Sequence, residues 1–279
     1  MSLISAFQNN DALLRDIRSH RTGTVKLWWL GQSGYLIHYN DVHVLVDPYL
    51  SNSLTRKYEN TNKPHIRMCE LVIDPSLLDF IDIVSSSHNH TDHLDGETLI
   101  PLINVNPGIQ MIIPEANREF VTNRIGSPLA FPIGLNDGQT TTVRGVTFHG
   151  LPAAHNEIER NELGQCKHMG YVIEIGGKKI YHSGDTLLFD GMANMLRPFN
   201  LDLAILPING NDPARGVAGN LSIEDAIQLG IDINARLVIP CHYDMFTFNT
   251  ADPKEFSAKA GAAGLNHRVL RIGEGMELS

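Results

Sequence analysis

The chain predicts one α/β domain in which two β-sheets are covered by outer helices. Three observations carry this. Short runs of β-branched and aromatic residues recur along the chain, separated by turn residues. Helical patterns fall between and after the strand groups rather than in one block. No repeat, low-complexity tract or linker divides the 279 residues, enough for one sizeable core over residues 1–279.

Taken in order, residues 7–20 place Phe7, Leu13, Leu14 and Ile17 at helical spacing. KLWWLGQSGYLIHYNDVHVLVDP then reads as strands 25–30, 34–39 and 42–46, broken at Gly31 to Gly34 and at Asn40-Asp41. Gly31-Gln32-Ser33-Gly34 is flanked by strands and lacks the Lys-Ser/Thr ending of a phosphate-cradling loop, so it reads as a hairpin turn. Residues 51–74 are polar and weakly patterned, a long loop with room for a short helix. A strand at 81–87 and a helix over 94–102 follow. Further strands are expected at 110–113, 145–151, 170–175, 179–183, 202–206 and 236–241, and helices at 115–124, 222–233 and 253–264. Ser222 with Asp225 is a capping-box pair, and Pro253 after Asp252 suits a first helical position.

Composition narrows the partners. A net charge of −9 excludes the general basic face that nucleic acid or an anionic membrane requires, leaving a small-molecule substrate. Cys69, Cys166 and Cys241 are odd in number and show no CxxC spacing, which argues against a disulfide framework. The first twenty residues lack the apolar run of a signal peptide and no stretch reaches membrane-spanning length, so a cytoplasmic location is expected. Homo-oligomer formation stays open.

Thirteen histidines are the compositional oddity, and three of them stand in SSSHNHTDHLDG. In an extended chain His88 and His90, two apart, present both imidazoles to one point. Asp92 and His93 lie in the following turn and face a second point. Imidazole and carboxylate donors suit Zn²⁺, Mn²⁺ or Fe²⁺. Four donors cannot complete two sites, and three more ligand-type residues stand just past expected strands: His155 in HGLPAAHNE, Asp185 in YHSGDT and His242 in LVIPCHYD. His38, His43, His65, His182 and His267 read as non-ligands, and Cys241, adjacent to His242, is expected to point into the core.

HNHTDH followed by His155, GDT and PCH resembles the metallo-β-lactamase superfamily over about residues 24–245. The resemblance implies an αββα four-layer sandwich with two divalent metal ions at one edge. It implies that His88, His90 and His155 hold one ion, that Asp92, His93 and His242 hold the other, and that Asp185 bridges them. Asp92 and Asp185 would be the catalytic carboxylates. WWLGQSGYLI, VDPYL, IYHSGDT and ARLVIPCHYDMF followed by ADPKEF resemble, more narrowly, the L-ascorbate-6-phosphate lactonase group, to which the loop NDPARG also corresponds. The segment between the cluster and His155 differs from that group.

The reading that follows is a hydrolase whose two cations lower the pKa of a shared water, acting on a small phosphorylated lactone. Asp47 and Ser183 are expected to orient the imidazoles. Arg215 in NDPARG is the candidate for gripping a phosphate, and His168 and Tyr243 are candidates for substrate contact or proton donation. The rivals are a phosphodiesterase of the same fold and a non-hydrolytic di-iron or metal-storing module. A tRNA substrate conflicts with the acidic balance, and a flavin-partnered di-iron module would need a further domain.

Overall fold

The computed structural model describes residues 3–20 and 23–279; Met1, Ser2, Arg21 and Thr22 lie outside the described residues. The elements run α1 (Asn10–Ser19), β1 (Val25–Gly31), β2 (Gly34–Tyr39), β3 (Val42–Val46), α2 (Ser53–Lys57), β4 (Ile83–Ser85), α3 (Gly96–Val105), β5 (Gln110–Pro114) and α4 (Arg118–Ile125). They continue with β6 (Pro132–Leu135), β7 (Thr140–Val143), β8 (Val146–Pro152), β9 (Met169–Ile175), β10 (Lys178–His182), α5 (Met192–Leu196), β11 (Leu203–Pro207), α6 (Ile223–Asp232), β12 (Val238–Cys241), α7 (Pro253–Ala262) and β13 (Gly275–Leu278).

The strands form two mixed sheets, as expected. One has the order β13-β1-β2-β3-β4-β5-β6, the other β12-β11-β10-β9-β8-β7. In each, an antiparallel meander gives way to a parallel half, at β3-β4 in the first and at β10-β11 in the second. Parallel strands need crossover connections, and the helices supply them. Three strands of the parallel halves are buried throughout, IVS in β4, LAILP in β11 and VIPC in β12.

The sheets face each other across one continuous apolar cluster that includes Trp29, Tyr35, Leu45, Tyr171, Ile205 and Ile239. Polar tips tie the layers together. Tyr35 Oη donates to Pro240 O at 3.3 Å, Tyr171 Oη donates to Ser86 O at 3.0 Å, and His182 Nε2 lies 2.8 Å from Ser33 O. Helices cover the outer faces. Leu13, Leu14 and Ile17 are the buried stripe of α1, and Ala226, Ile227, Leu229 and Gly230 that of α6. At Gly230 a Cβ would come within 2.7 Å of Val238 Cγ2, so the missing side chain lets α6 lie flush on β12. The helix starts as expected, with Ser222 and Asp225 forming the complete capping box.

Several boundaries move. The strand expected at 81–87 ends at Ser85, and residues 86–95 form bends and turns. The helix expected at 94–102 runs from Gly96 to Val105, with Asp95 accepting from Glu97 N at its start. β6, β7, β13 and α5 are additional elements.

Candidate metal centre

The chemistry-bearing residues sit in loops that follow strands of both sheets, four of them from strands with a parallel neighbour and one from the antiparallel β8. Asp47 follows β3, the His88–His93 segment follows β4, His155 follows β8, Asp185 follows β10 and His242 follows β12. Because β4 stops at Ser85, the meeting of His88 and His90 does not come from strand alternation. It comes from a tight turn in which His93 N and Leu94 N both donate to His90 O, at 3.1 and 2.8 Å. The ring centroids of His88 and His90 are 4.7 Å apart, and those of His88 and His93 4.1 Å.

Two donor groups result. His88, His90 and His155 form one; Asp92, His93, Asp185 and His242 form the other. Asp185 spans them. Its Oδ1 is 2.7 Å from His242 Nε2 and 3.2 Å from His93 Nε2, while its Oδ2 is 3.7 Å from His155 Nε2. The peptide leading into Asp185 is shaped by Gly184, whose φ is +59° and where a Cβ would lie 2.7 Å from Ser87 Cβ and 2.8 Å from Met169 O.

Whether this set fits metal ions can be tested on its unpaired atoms. Buried polar atoms without a partner are rare and costly. Among the described residues, His88 Nε2, His93 Nε2, His242 Nε2 and Asp185 Oδ1 are all buried without a hydrogen bond of proper geometry. The four sit on the inward side of both groups, so the residues present fit a cation-binding role. The outward nitrogens are engaged, which sets the ring orientations. His93 Nδ1 is 2.6 Å from Asp47 Oδ2, His88 Nδ1 is 3.0 Å from Ser87 Oγ, and His155 Nδ1 is 2.9 Å from Gly219 O. Asp47 itself accepts from Ser87 N at 2.7 Å and is fully buried.

Gln32 is a contributor that sequence reasoning assigned only to a hairpin turn. Its Nε2 donates to Asp92 Oδ2 at 2.9 Å and lies 3.0 Å from His242 Nδ1, so one amide positions two donors. Gln32, Asp47 and His242 all hold positive φ, at 51°, 44° and 63°. Such backbone geometry is unfavourable away from glycine and collects at functional sites.

Electrostatics follow the crowding. Burial, reinforced by His93 and His90, pushes His88 well below the usual imidazole range. His93 goes the other way: burial opposes its charge, but Asp185, Asp92 and Asp47 together raise it well above. Asp185 is held well below the ordinary carboxylate range; burial works against this, and His242 and His93 outweigh it.

The remaining candidates are placed differently. His168 is buried beside the three-histidine group, its ring 5.1 Å from His88 and 5.5 Å from His155, with Nδ1 unpartnered. Tyr243 does not reach the cleft: it stacks on Trp29 at 4.4 Å and its hydroxyl donates to Leu270 O. Ser183 orients no imidazole, since its hydroxyl donates to Gly184 O; Ser87 occupies that role. Arg215 turns its guanidinium to Asn249 Oδ1 and Asn209 O, at 2.5 and 2.8 Å, bracing the loop behind the cleft. Cys241 is buried with Sγ 3.7 Å from Ser33 Oγ, and burial pushes its thiol up.

A two-sheet sandwich with paired His/Asp donor groups in the loops along one rim defines a class, and the comparisons agree. The chain belongs to the beta-lactamase superfamily: the family described as Beta-lactamase superfamily domain matches residues 43–243. It is 30% identical over 254 residues to a protein of Methanosarcina mazei named UPF0173 metal-dependent hydrolase, covering 90% of this chain and 96% of that one. A protein of the same name from Alkaliphilus metalliredigens is 31% identical, covering 90% and 98%. Among solved structures, Igni18, a metallo hydrolase from Ignicoccus hospitalis, superimposes with a TM-score of 0.67 at 25% identity, covering 92% of this chain and 99% of that one. No helix of the described residues is long and apolar enough to cross a membrane.

Proposed function

We propose that this chain is a metal-dependent hydrolase with a dinuclear centre, acting on a small phosphorylated lactone of the kind cleaved by L-ascorbate-6-phosphate lactonases. The observation that carries the reading is Asp185, whose two oxygens face the two donor groups separately. His88, His90 and His155 would hold one ion, Asp92, His93 and His242 the other, and Asp185 would bridge. Bound there, two divalent ions supply Lewis acidity and an ionised water near neutral pH.

The chain's own residues do the rest. The Gly219 carbonyl, Asp47 and Ser87 accept from the Nδ1–H of His155, His93 and His88, which would turn the Nε2 lone pair of each toward a held cation, and the Gln32 amide fixes Asp92 and the His242 ring. Asp185, held ionised, orients the attacking water between the groups. His168 stands beside His88 with its Nδ1 unpartnered, and burial, then His155 and His90, lower it to about 4, so it is a neutral imidazole able to take up a proton. The relatives' name, metal-dependent hydrolase, supports the reaction class, and the resemblance of GDT, PCH and ADPKEF to the lactonase group supports the substrate.

Elemental analysis after supplementation with Zn²⁺, Mn²⁺ or Fe²⁺ should give two ions per chain, and none after substitution of both His88 and His93 by alanine. A turnover screen should then rank sugar-phosphate lactones above bis(p-nitrophenyl) phosphate. The reverse ranking would move the reading to phosphodiester hydrolysis, and a metal-free protein would end it.

A further inference from the structure

The chain is acidic, and many of its cations are neutralised locally: Lys26 by Asp16, Arg118 by Glu115, Arg160 by Asp137 and Lys259 by Glu224 and Glu255. Lys57, Lys63 and Arg124 are different. Among the described residues none of the three has a carboxylate oxygen within salt-bridge distance, yet all three line one cleft of about 450 Å³ together with His90, Asp92, His155 and Asp185. Excess positive charge is thus gathered at the mouth of the donor site in a molecule whose overall field repels anions.

Each of these cations is steadied from behind. Lys57 Nζ sits 5.2 Å over the Tyr58 ring and the Arg124 guanidinium 4.4 Å over the Phe120 ring, and both rings also line the cleft. One Arg124 nitrogen donates to Asn89 O and Leu94 O at 2.9 Å each, the carbonyls flanking the ligand turn. Lys63 Nζ donates to Gly216 O on the opposite wall. An ammonium has three donors and a guanidinium five, so every one of them keeps N–H groups for a ligand.

We propose that this rim is an anion-binding subsite: Lys57, Lys63 and Arg124 grip the phosphate or carboxylate of a small substrate whose scissile group lies at the Asp92 and Asp185 end of the cleft. The proposal rests on the hydrolase reading for the second half of that statement. It relocates the anion contact from Arg215, whose guanidinium is engaged with Asn249 and Asn209, to three residues that no sequence motif marks. A cleft of this size accommodates a drug-sized or smaller molecule.

The test is equilibrium binding to the metal-loaded protein, which reads the subsite whether or not turnover is found. The probes are glycerol 1-phosphate, glycerate and neutral glycerol, titrated by calorimetry into wild type, the K57Q/K63Q double variant and a K254Q control outside the cleft. The expected result is that one of the two anions binds at least about tenfold tighter than glycerol, and that the double variant loses about tenfold of that affinity while K254Q does not. Which anion wins distinguishes a phosphorylated substrate from a carboxylated one. Arg124 is left intact because its bonds to Asn89 and Leu94 also hold the ligand turn. Equal affinity of wild type and double variant for both anions would overturn the subsite, even if hydrolysis were established. Loss of all turnover with the charge-dependent binding intact would overturn the hydrolase reading instead.

Discussion

Among the described residues two histidine clusters stand out, and only one resembles a metal centre. The rim group brings His88, His90, His93, His155 and His242 together with Asp92 and Asp185. The other, His20, His38 and His43, lies at the end of α1 and on β2 and β3, against a cavity of about 860 Å³. Its rings are packed as tightly: His38 and His43 stack at 4.0 Å, and His20 Nδ1 is 2.9 Å from His38 Nδ1. The difference is in what the nitrogens meet. In the second cluster they meet one another, Thr24 Oγ1 and the Asn40 carbonyl, while two separate carboxylates stand at its margins, Glu277 at 3.8 Å from His20 and Asp82 at 3.9 Å from His43. In the rim group the inward nitrogens of three rings have no hydrogen bond of proper geometry and crowd around the Asp185 carboxylate. Density of histidine is therefore not the signature of a site; inward donors left unsatisfied around a shared carboxylate are.

The comparison is broken most severely through Asp185. Asp185→Ala should lower kcat/KM by at least about 10²-fold, because small losses of geometry at the reacting centre cost rate steeply. The cooperative unfolding transition should remain, since the apolar cluster between the sheets does not include this side chain. Retained activity with full metal content would remove its bridging role.

Asp47→Asn comes next. Asparagine tolerates the positive φ of this position, so the backbone should hold while His93 loses its charged partner. A fall of about 10- to 100-fold in metal affinity is expected, the usual cost of a lost partner to a ligand imidazole, read by competition with a chromogenic chelator. Gln32→Ala should cost roughly tenfold in activity, because Asp92 loses a hydrogen bond to a charged acceptor.

The smallest effect belongs to the second cluster. Burial, then His38 and His20, lower His43 from 6.5 to about 4. An unfolded chain binds this proton near pH 6.5 and the folded one does not, so stability is lost as pH falls from 6.5 toward 4. About 1–2 kcal/mol should disappear between pH 7 and pH 5 through this group. His43→Asn should flatten that slope in urea titrations while leaving metal content unchanged. A drop in bound metal on this substitution would erase the distinction between the clusters.

How much of this was legible beforehand depends on the kind of signal. β1, β2 and β3 announce themselves through VKLWWL, GYLIHY and VHVLV between turn residues, and the seven donors through their chemical type at strand ends. β7 was missed because TTTV is a largely exposed edge strand with no apolar alternation. β6 begins with proline and β13 with glycine, both depleted in strands, and α5 is only five residues long. Gln32 carries no signature, since an amide in a turn reads the same whether it faces solvent or two metal-type ligands. Ser87 was passed over for Ser183 because the expected strand ran through residue 87; once β4 ends at Ser85 the Ser87 hydroxyl is free to turn toward His88 and His93. Asp47 was legible as the end of a strand, though its left-handed backbone was not.

The spacing of the donors along the chain also has a consequence for biosynthesis. His88 leaves the ribosome with β4, whereas His242 follows β12, more than half the chain length later. At translation rates of about 5–20 residues per second that interval lasts on the order of ten seconds. During it β1 to β6 can pair and β7 to β11 can form, but β13, the edge strand beside β1, is still to come and Asp185 has no His242 beside it. The donor group that includes His242 is therefore completed late, once β12 has joined β11, whereas His88, His90 and His155 are all synthesised before it. Nascent chains halted before β12 should lack both His242 and the β13 edge of the first sheet, and should retain less metal than the full chain.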